Sequence, residues 1–229
     1  MKTIKLFLAV SVIAFIMSSC NSGSVTSTDA TLRSEKDSAS FYVGYMLGSN
    51  VAGMDVNMQA LVAGMNNAVQ KKNLDIDMQQ MQMVVMSYMQ KEATKIAEIN
   101  RVKGEKFLAE NAEKEGIQKL ECGVQYKVIT EGNGPKPVET DKVRVHYIGT
   151  LIDGTEFDSS VRRGEPAEFG LTNVIPGWTN ALKEMNVGSK WMIYIPSELG
   201  YGERGAGQQI GPNEVLIFEV ELLDIIEKK

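Results

Sequence analysis

Residues 143–157, VRVHYIGTLIDGTEF, alternate apolar and polar side chains through Val143, Val145 and Tyr147, then reach Asp153-Gly154 between Leu151 and Phe157. A period of two is the mark of a strand with one buried face. Asp-Gly between two apolar runs predicts a hairpin turn. The same alternation recurs outward on both sides. It runs through Val124, Tyr126 and Val128, through Ile193 and Ile195 before Pro196, and through Val215, Ile217, Phe218, Val220 and Leu222. One helical segment interrupts the strands. Pro176-Gly177-Trp178 opens a short helix through Met185, with Gly188 past its end, the usual placement of proline at a helix start and glycine beyond its finish. Five or so antiparallel strands with a short helix over one face predict an α+β domain for residues 117–229.

Upstream the composition changes sharply near Gly116. Between Leu32 and Glu115 there is no proline, and eight of the 13 methionines fall between Met54 and Met89, whereas all 6 prolines and both tryptophans follow Gly116. Three helices are expected in residues 34–116. The first starts at Ser34, which forms a capping pair with Asp37. The second runs over 57–71, with Leu61, Val62, Met65, Ala68 and Val69 on one face, and Asn73 as its stop. The third starts at Asp77 and continues to Glu115, with Gly116 as its cap. At ~1.5 Å per residue it reaches on the order of 55 Å, too long for a domain this small to cover. Its charged end, Arg101 to Glu115, reads as a solvated spacer. So few residues around one overlong helix bury little core alone, which predicts a homodimer through residues 34–100.

The first nineteen residues read as a targeting segment. Lys2 and Lys5 precede an apolar run, Leu6 to Met17, that is shorter than the ~20 residues needed to span a bilayer. Small residues and then Cys20 follow. This pattern is similar to a bacterial lipoprotein signal, with cleavage before Cys20 and lipid on its sulfur. Residues 20–33 form a polar, flexible tether. The protein is then expected as an exported lipoprotein, anchored at Cys20 in the outer membrane or periplasm of a Gram-negative bacterium. Cys122 is left without an intrachain partner. The composition is otherwise that of a globular chain, 43% hydrophobic and 23% charged among 229 residues, with a net charge of −5. No basic cluster is present to neutralise phosphates, so nucleic acid is not expected as a partner. A single histidine excludes a His-rich metal site, and neither metal nor cofactor is expected.

Five segments carry a more specific message. Val145-His146-Tyr147, GTEFDSS (154–160), VIPGWTNALKEM (174–185), YIPSELGYG (194–202) and IGPNEVLIF (210–218) resemble, in order and spacing, the FKBP-type peptidyl-prolyl cis/trans isomerases across residues 120–227. The helical half, through Lys36-Asp37-Ser38-Ala39-Ser40, Gly44-Tyr45 and the long third helix, is similar to the macrophage-infectivity-potentiator subclass. The resemblance implies an antiparallel sheet wrapped around a short helix and an aromatic pocket for proline. Its walls would be Tyr147, Phe157, Phe169, Val174, Ile175, Tyr201, Ile210 and Phe218, with Trp178 as the floor. Asp158 would stand at the rim, oriented by Tyr147 and by Arg163, with Arg162 the alternative. The Ile175 N–H and the Tyr201 hydroxyl would bind substrate carbonyls. It also implies proline-containing, unfolded or exported polypeptides as substrates, and proline-mimicking macrolides as inhibitors.

These residue types suit that chemistry. Rotation about X–Pro breaks no bond, so neither nucleophile nor metal is needed. Singly, each aromatic would be read as core and His146 as structural. A Ser-His-Asp triad lacks its Gly-x-Ser-x-Gly elbow. The glycine-rich Gly202–Gly207 lacks the Lys-Ser/Thr ending of a phosphate loop and reads as a loop beside the pocket. A second reading is a dimeric chaperone that holds clients on the methionine-rich helices, since methionine adapts to irregular apolar surfaces.

Overall fold

The computed structural model describes residues 31–72 and 74–227. The expected signal segment, Cys20, most of the expected tether and Asn73 lie outside the described residues. The chain divides into two compact units, one ending at Tyr45 and one beginning at Met46.

Helix α1 spans Glu35–Ser49 and buries no side chain. Ser34 Oγ accepts from the Asp37 N–H at 3.1 Å, and the Asp37 carboxylate accepts from the Arg33 N–H at 3.2 Å. This reciprocal cap supplies partners for N–H groups that have none within the helix. Phe41 and Tyr42 meet edge to face and both are exposed.

In the second unit, α2 (Met58–Val69) is capped by Asn57, whose side chain accepts from the Ala60 N–H. α3 (Met78–Ala112) is capped by Asp77, which accepts from the Gln79 and Gln80 N–H groups. Its 35 residues make it ~52 Å long at ~1.5 Å per residue. It ends before Gly116, where the sequence placed its cap, because Ile117 already pairs with Lys127 in the sheet. The chain turns through Gly116 at φ +80° to meet that ladder. The charged end of α3 departs further from expectation. Arg101 does pair with Glu98 and Glu105 in solvent. The opposite stripe, however, packs on the strand domain. Gly104 sits against Val215, Phe107 against Tyr194, and Asn111, fully buried, donates to the Gln125 side chain at 2.9 Å.

Seven strands follow: β1 (Ile117–Lys119), β2 (Gln125–Thr130), β3 (Lys142–Thr150), β4 (Glu156–Ser159), β5 (Ala167–Gly170), β6 (Lys190–Ile195) and β7 (Leu216–Glu227). All their pairings are antiparallel. The order is β1-β2-β6-β7-β3, with β4 and β5 pairing opposite ends of β3. β1 and β5 were not foreseen; three and four residues are too short to display a period. The single turn α4 (Ser160–Arg163) joins β4 to β5, and α5 (Pro176–Leu182) covers one sheet face. The core lies between them. Val143, Val145, Ile193, Ile195, Val220 and Leu222 point in from the sheet, and Trp178, Ala181 and Leu182 from α5.

Candidate active site

The site begins at Trp178, held on the first turn of α5 and only 4% exposed. Three rings meet its indole edge to face: Tyr147 at 5.2 Å, Phe169 at 5.6 Å and Phe218 at 5.1 Å between centroids. Phe157 meets Phe218 in the same way at 5.5 Å. Edge-to-face packing places the positive ring edges on negative ring faces. Here it arranges the rings around a shared centre. Each ring arrives on a different element: Tyr147 on β3, Phe157 on β4, Phe169 on β5 and Phe218 on β7. Gly149 makes room for two of them. A Cβ at that position would lie 2.7 Å from atoms of both Phe157 and Phe218.

Above the indole is a cavity of about 650 Å³. Tyr147, Phe157, Asp158, Phe169, Val174, Ile175, Trp178, Tyr201, Ile210 and Phe218 all line it. Arg163 does not line it. Of the two arginines it is Arg163, on α4, that donates to Asp158, while Arg162 turns away to pair with Glu156. The Ile175 N–H is engaged by no backbone carbonyl among the described residues. Sequence reading missed Asn173 and the stretch 206–209 as lining, although it had placed Ile210 in the wall. Ala206 and Ile210 exchange backbone hydrogen bonds at 2.9 and 3.1 Å, and Gly207, Gln208 and Gln209 form the tip. The glycines signalled a loop here, but no periodicity assigned its side chains to the cavity.

The polar rim is a compact network. The Tyr147 hydroxyl donates to one Asp158 oxygen and accepts from Arg163 Nη2 at 2.9 Å. Arg163 Nη1 and the Ser159 N–H donate to the other Asp158 oxygen. The guanidinium also lies over the Tyr147 ring, 5.6 Å from its centroid. Partial burial opposes ionisation of Asp158, but the hydrogen bonds from Tyr147 and Arg163 outweigh it and hold the carboxyl below its usual range. Burial, and then the neighbouring carboxylate, push the Tyr147 hydroxyl up. Asp158 therefore stays ionised and Tyr147 stays protonated near neutral pH. Asp158-Ser159-Ser160 is more than a turn. Ser159 Oγ accepts from the Arg162 N–H and caps α4, while Ser160 Oγ accepts from the Tyr147 N–H at 2.8 Å. His146 Nδ1 lies 3.1 Å from the same Ser160 oxygen, which gives this histidine a structural place beneath the site.

The chain that builds this cup matches known proteins. Residues 134–223 match the family model described as FKBP-type peptidyl-prolyl cis-trans isomerase, and residues 36–128 match the domain amino terminal to it. The "Outer membrane protein MIP" of Legionella longbeachae is 42% identical over 224 residues, covering 93% of this chain and 96% of that protein. The chain belongs to the FKBP-type peptidyl-prolyl cis-trans isomerases. Within the FKBP-type isomerases it falls with the Mip-like subclass. The "FKBP-type 22 kDa peptidyl-prolyl cis-trans isomerase" of Escherichia coli is 44% identical, with 87% of this chain and all of that one covered. The crystal structure of FkpA from Escherichia coli superposes with a TM-score of 0.62 at 34% identity, covering 85% of this chain and 98% of that one. Both the helical segment and the strand domain therefore have counterparts among FKBP-type proteins.

Proposed function

We propose that the cavity catalyses cis/trans isomerisation of X–Pro bonds by binding the half-rotated imide better than the planar one. The observation that carries this reading is the buried Trp178, ringed edge-on by Tyr147, Phe169 and Phe218 beneath an open cavity. Uncatalysed rotation faces a barrier of ~18–20 kcal/mol because it breaks amide resonance. With resonance lost, the carbonyl is less polar than in the flat ground state. A water-poor cup of rings favours that less polar species, and only differential binding of this kind accelerates a reaction. A hundredfold rate gain needs about 2.7 kcal/mol of it.

Roles follow from position. Phe157, Phe169, Trp178, Ile210 and Phe218 receive the proline ring, with Val174 beside them. The Ile175 N–H and the Tyr201 hydroxyl hold flanking carbonyls and keep the peptide bent. Asp158, fixed by Tyr147 and Arg163, sets the polarity of the lip. A protease-coupled assay on a proline tetrapeptide tests the reading. Acceleration by the wild-type chain that a proline-mimicking macrolide abolishes, with a change in tryptophan fluorescence, is the expected result. A folded wild-type chain without acceleration refutes it.

The chain's setting belongs to the same proposal. Residues 34–116 serve dimerisation and connection, and residues 117–229 catalysis. Exposed Met81, Val84, Val85, Met86 and Met89 on α3 favour a homodimer, because a lone chain leaves them in water. The lysine-flanked apolar run before Cys20, together with relatives that include an outer membrane protein, favours an exported lipoprotein of the Gram-negative envelope. Its substrates are exported polypeptides whose folding waits on proline. The family match favours isomerisation as the primary activity over client holding.

A further inference from the structure

The wall of the cavity that carries Tyr201 and Ile210 is a loop on an exposed surface, and its tip, residues 207–209, is exposed. The loop is closed at its neck by one residue. The Asn213 N–H donates to the Gly202 carbonyl at 2.8 Å. Asn213 adopts φ +55°, a left-handed conformation that asparagine tolerates better than most residues. Its side chain faces the other way and donates to the Ala97 carbonyl of α3 at 3.2 Å. Next to it, Asn100 of α3 donates to the Pro212 carbonyl at 2.9 Å. One turn further along the helix, Gly104 admits Val215; a Cβ there would lie 2.8 Å from Val215 Cγ2. Ala97, Asn100 and Gly104 thus form one helix face against the segment that closes the loop and leads into β7. Neither asparagine touches the cavity.

We infer that α3 is a working part of the proline pocket: Asn100 and Asn213 latch the helix to the neck of the 202–213 loop and so set the affinity of the pocket for its peptide. Two reciprocal side-chain contacts, one from each partner, join the helix to Pro212 and Asn213, and Asn213 in turn closes the loop on Gly202. If they are lost, the loop samples positions in which Tyr201 and Ile210 do not complete the wall. A site that is competent for only a fraction of the time binds more weakly by that fraction. The penalty therefore falls on binding, while the chemistry of a loaded pocket is unchanged. Both asparagines are positioning residues.

This inference rests on the isomerase reading, and the experiment separates the two. In the full-length chain, Asn213→Gly keeps the positive φ and removes the donor. Asn100→Asp keeps the shape and cannot donate to Pro212. Asn186→Ala removes a different side-chain bond, to the Gly132 carbonyl, and lines no part of the cavity. Backbone hydrogen exchange of residues 202–213 and the kcat and KM for a proline tetrapeptide are measured for each. The double variant should exchange faster across the loop and show a KM raised about tenfold, as for a pocket complete about a tenth of the time. Its kcat should stay within about twofold, and Asn186→Ala should leave KM unaltered. Exchange and KM equal to wild type in the double variant overturn the latch. So does an equal rise of KM in Asn186→Ala, which would mark general loosening. A wild-type chain with no turnover refutes the isomerase reading instead, and loop exchange still decides the latch.

Discussion

Tyr147 carries three tasks at once. Its ring walls the cavity, its hydroxyl donates to Asp158, and the same oxygen accepts from Arg163. Tyr147→Phe keeps the ring and unties the lip. With hydrogen bonds to charged groups contributing ~1.5–3 kcal/mol, kcat/KM for a proline tetrapeptide should fall about tenfold in the protease-coupled assay while the fold persists. The pH dependence follows from Asp158. Its carboxyl is held below its usual range, so it is ionised throughout the neutral region. Activity should be flat between about pH 6 and 8, since neither Asp158, held low, nor Tyr147, pushed up, changes charge there. The sign is that of a depressed acid. The stabilisation from the Tyr147–Asp158–Arg163 network is present above the unfolded carboxyl's pKa and fades as pH falls through the lower folded value. Thermal melts across acid pH should lose that contribution in wild type and not in Asp158→Asn. Gly149 makes the complementary case. Gly149→Ala drives a methyl into the Phe157 and Phe218 rings, and overpacking of this kind costs ~1–3 kcal/mol. Both melting temperature and turnover should drop, because the two rings cannot yield without distorting the cup.

At the scale of elements, α3 is the member whose role changed most between sequence and structure. Its exposed face has the mixed charge of a solvated spacer. Its other face bears Asn100, Gly104 and Asn111, small or polar residues that give no apolar period. They nevertheless meet the strand domain through close packing and hydrogen bonds. Asn111 is buried with Gln125, and Gln125 in turn donates to the Leu108 carbonyl at 2.8 Å. Asn111→Ala leaves the buried Gln125 oxygen without its donor, which costs ~1–3 kcal/mol. For a chain of this size the melting temperature should fall by about 2–4 °C per kcal/mol. Since Asn111 lies more than two turns from the Asn100 latch, KM should move far less than in the latch variants. Calorimetry and the peptide assay on one sample separate these effects.

For the whole molecule the open question is the covering of the helical face. Val84, Val85 and Met86 are at least half in water, at 62%, 50% and 71% exposed. A second copy that buries them removes the apolar area from solvent at ~25 cal/mol per Å². Val85→Glu with Met86→Glu should therefore halve the mass seen by analytical ultracentrifugation. Peptide isomerisation per chain should be retained, since the cavity is built from one chain. A wild-type chain that sediments as a monomer at micromolar concentration counts against the dimer.

The sequence by itself determined the strands with long alternation, the helix starts at Ser34, Asn57 and Asp77, and the roster of rings in the cup. Each of these is written in local spacing or in motifs whose order along the chain is legible without coordinates. The tertiary structure alone decided that Arg163 rather than Arg162 holds Asp158. It also decided that Gln208 and Gln209 face the cavity and that α3 docks through asparagines and a glycine. The docking of α3 depends on hydrogen bonds between residues more than a hundred apart in sequence, and the choice between adjacent arginines on which side chain the α4 turn aims at Asp158; neither leaves a periodic trace in the chain.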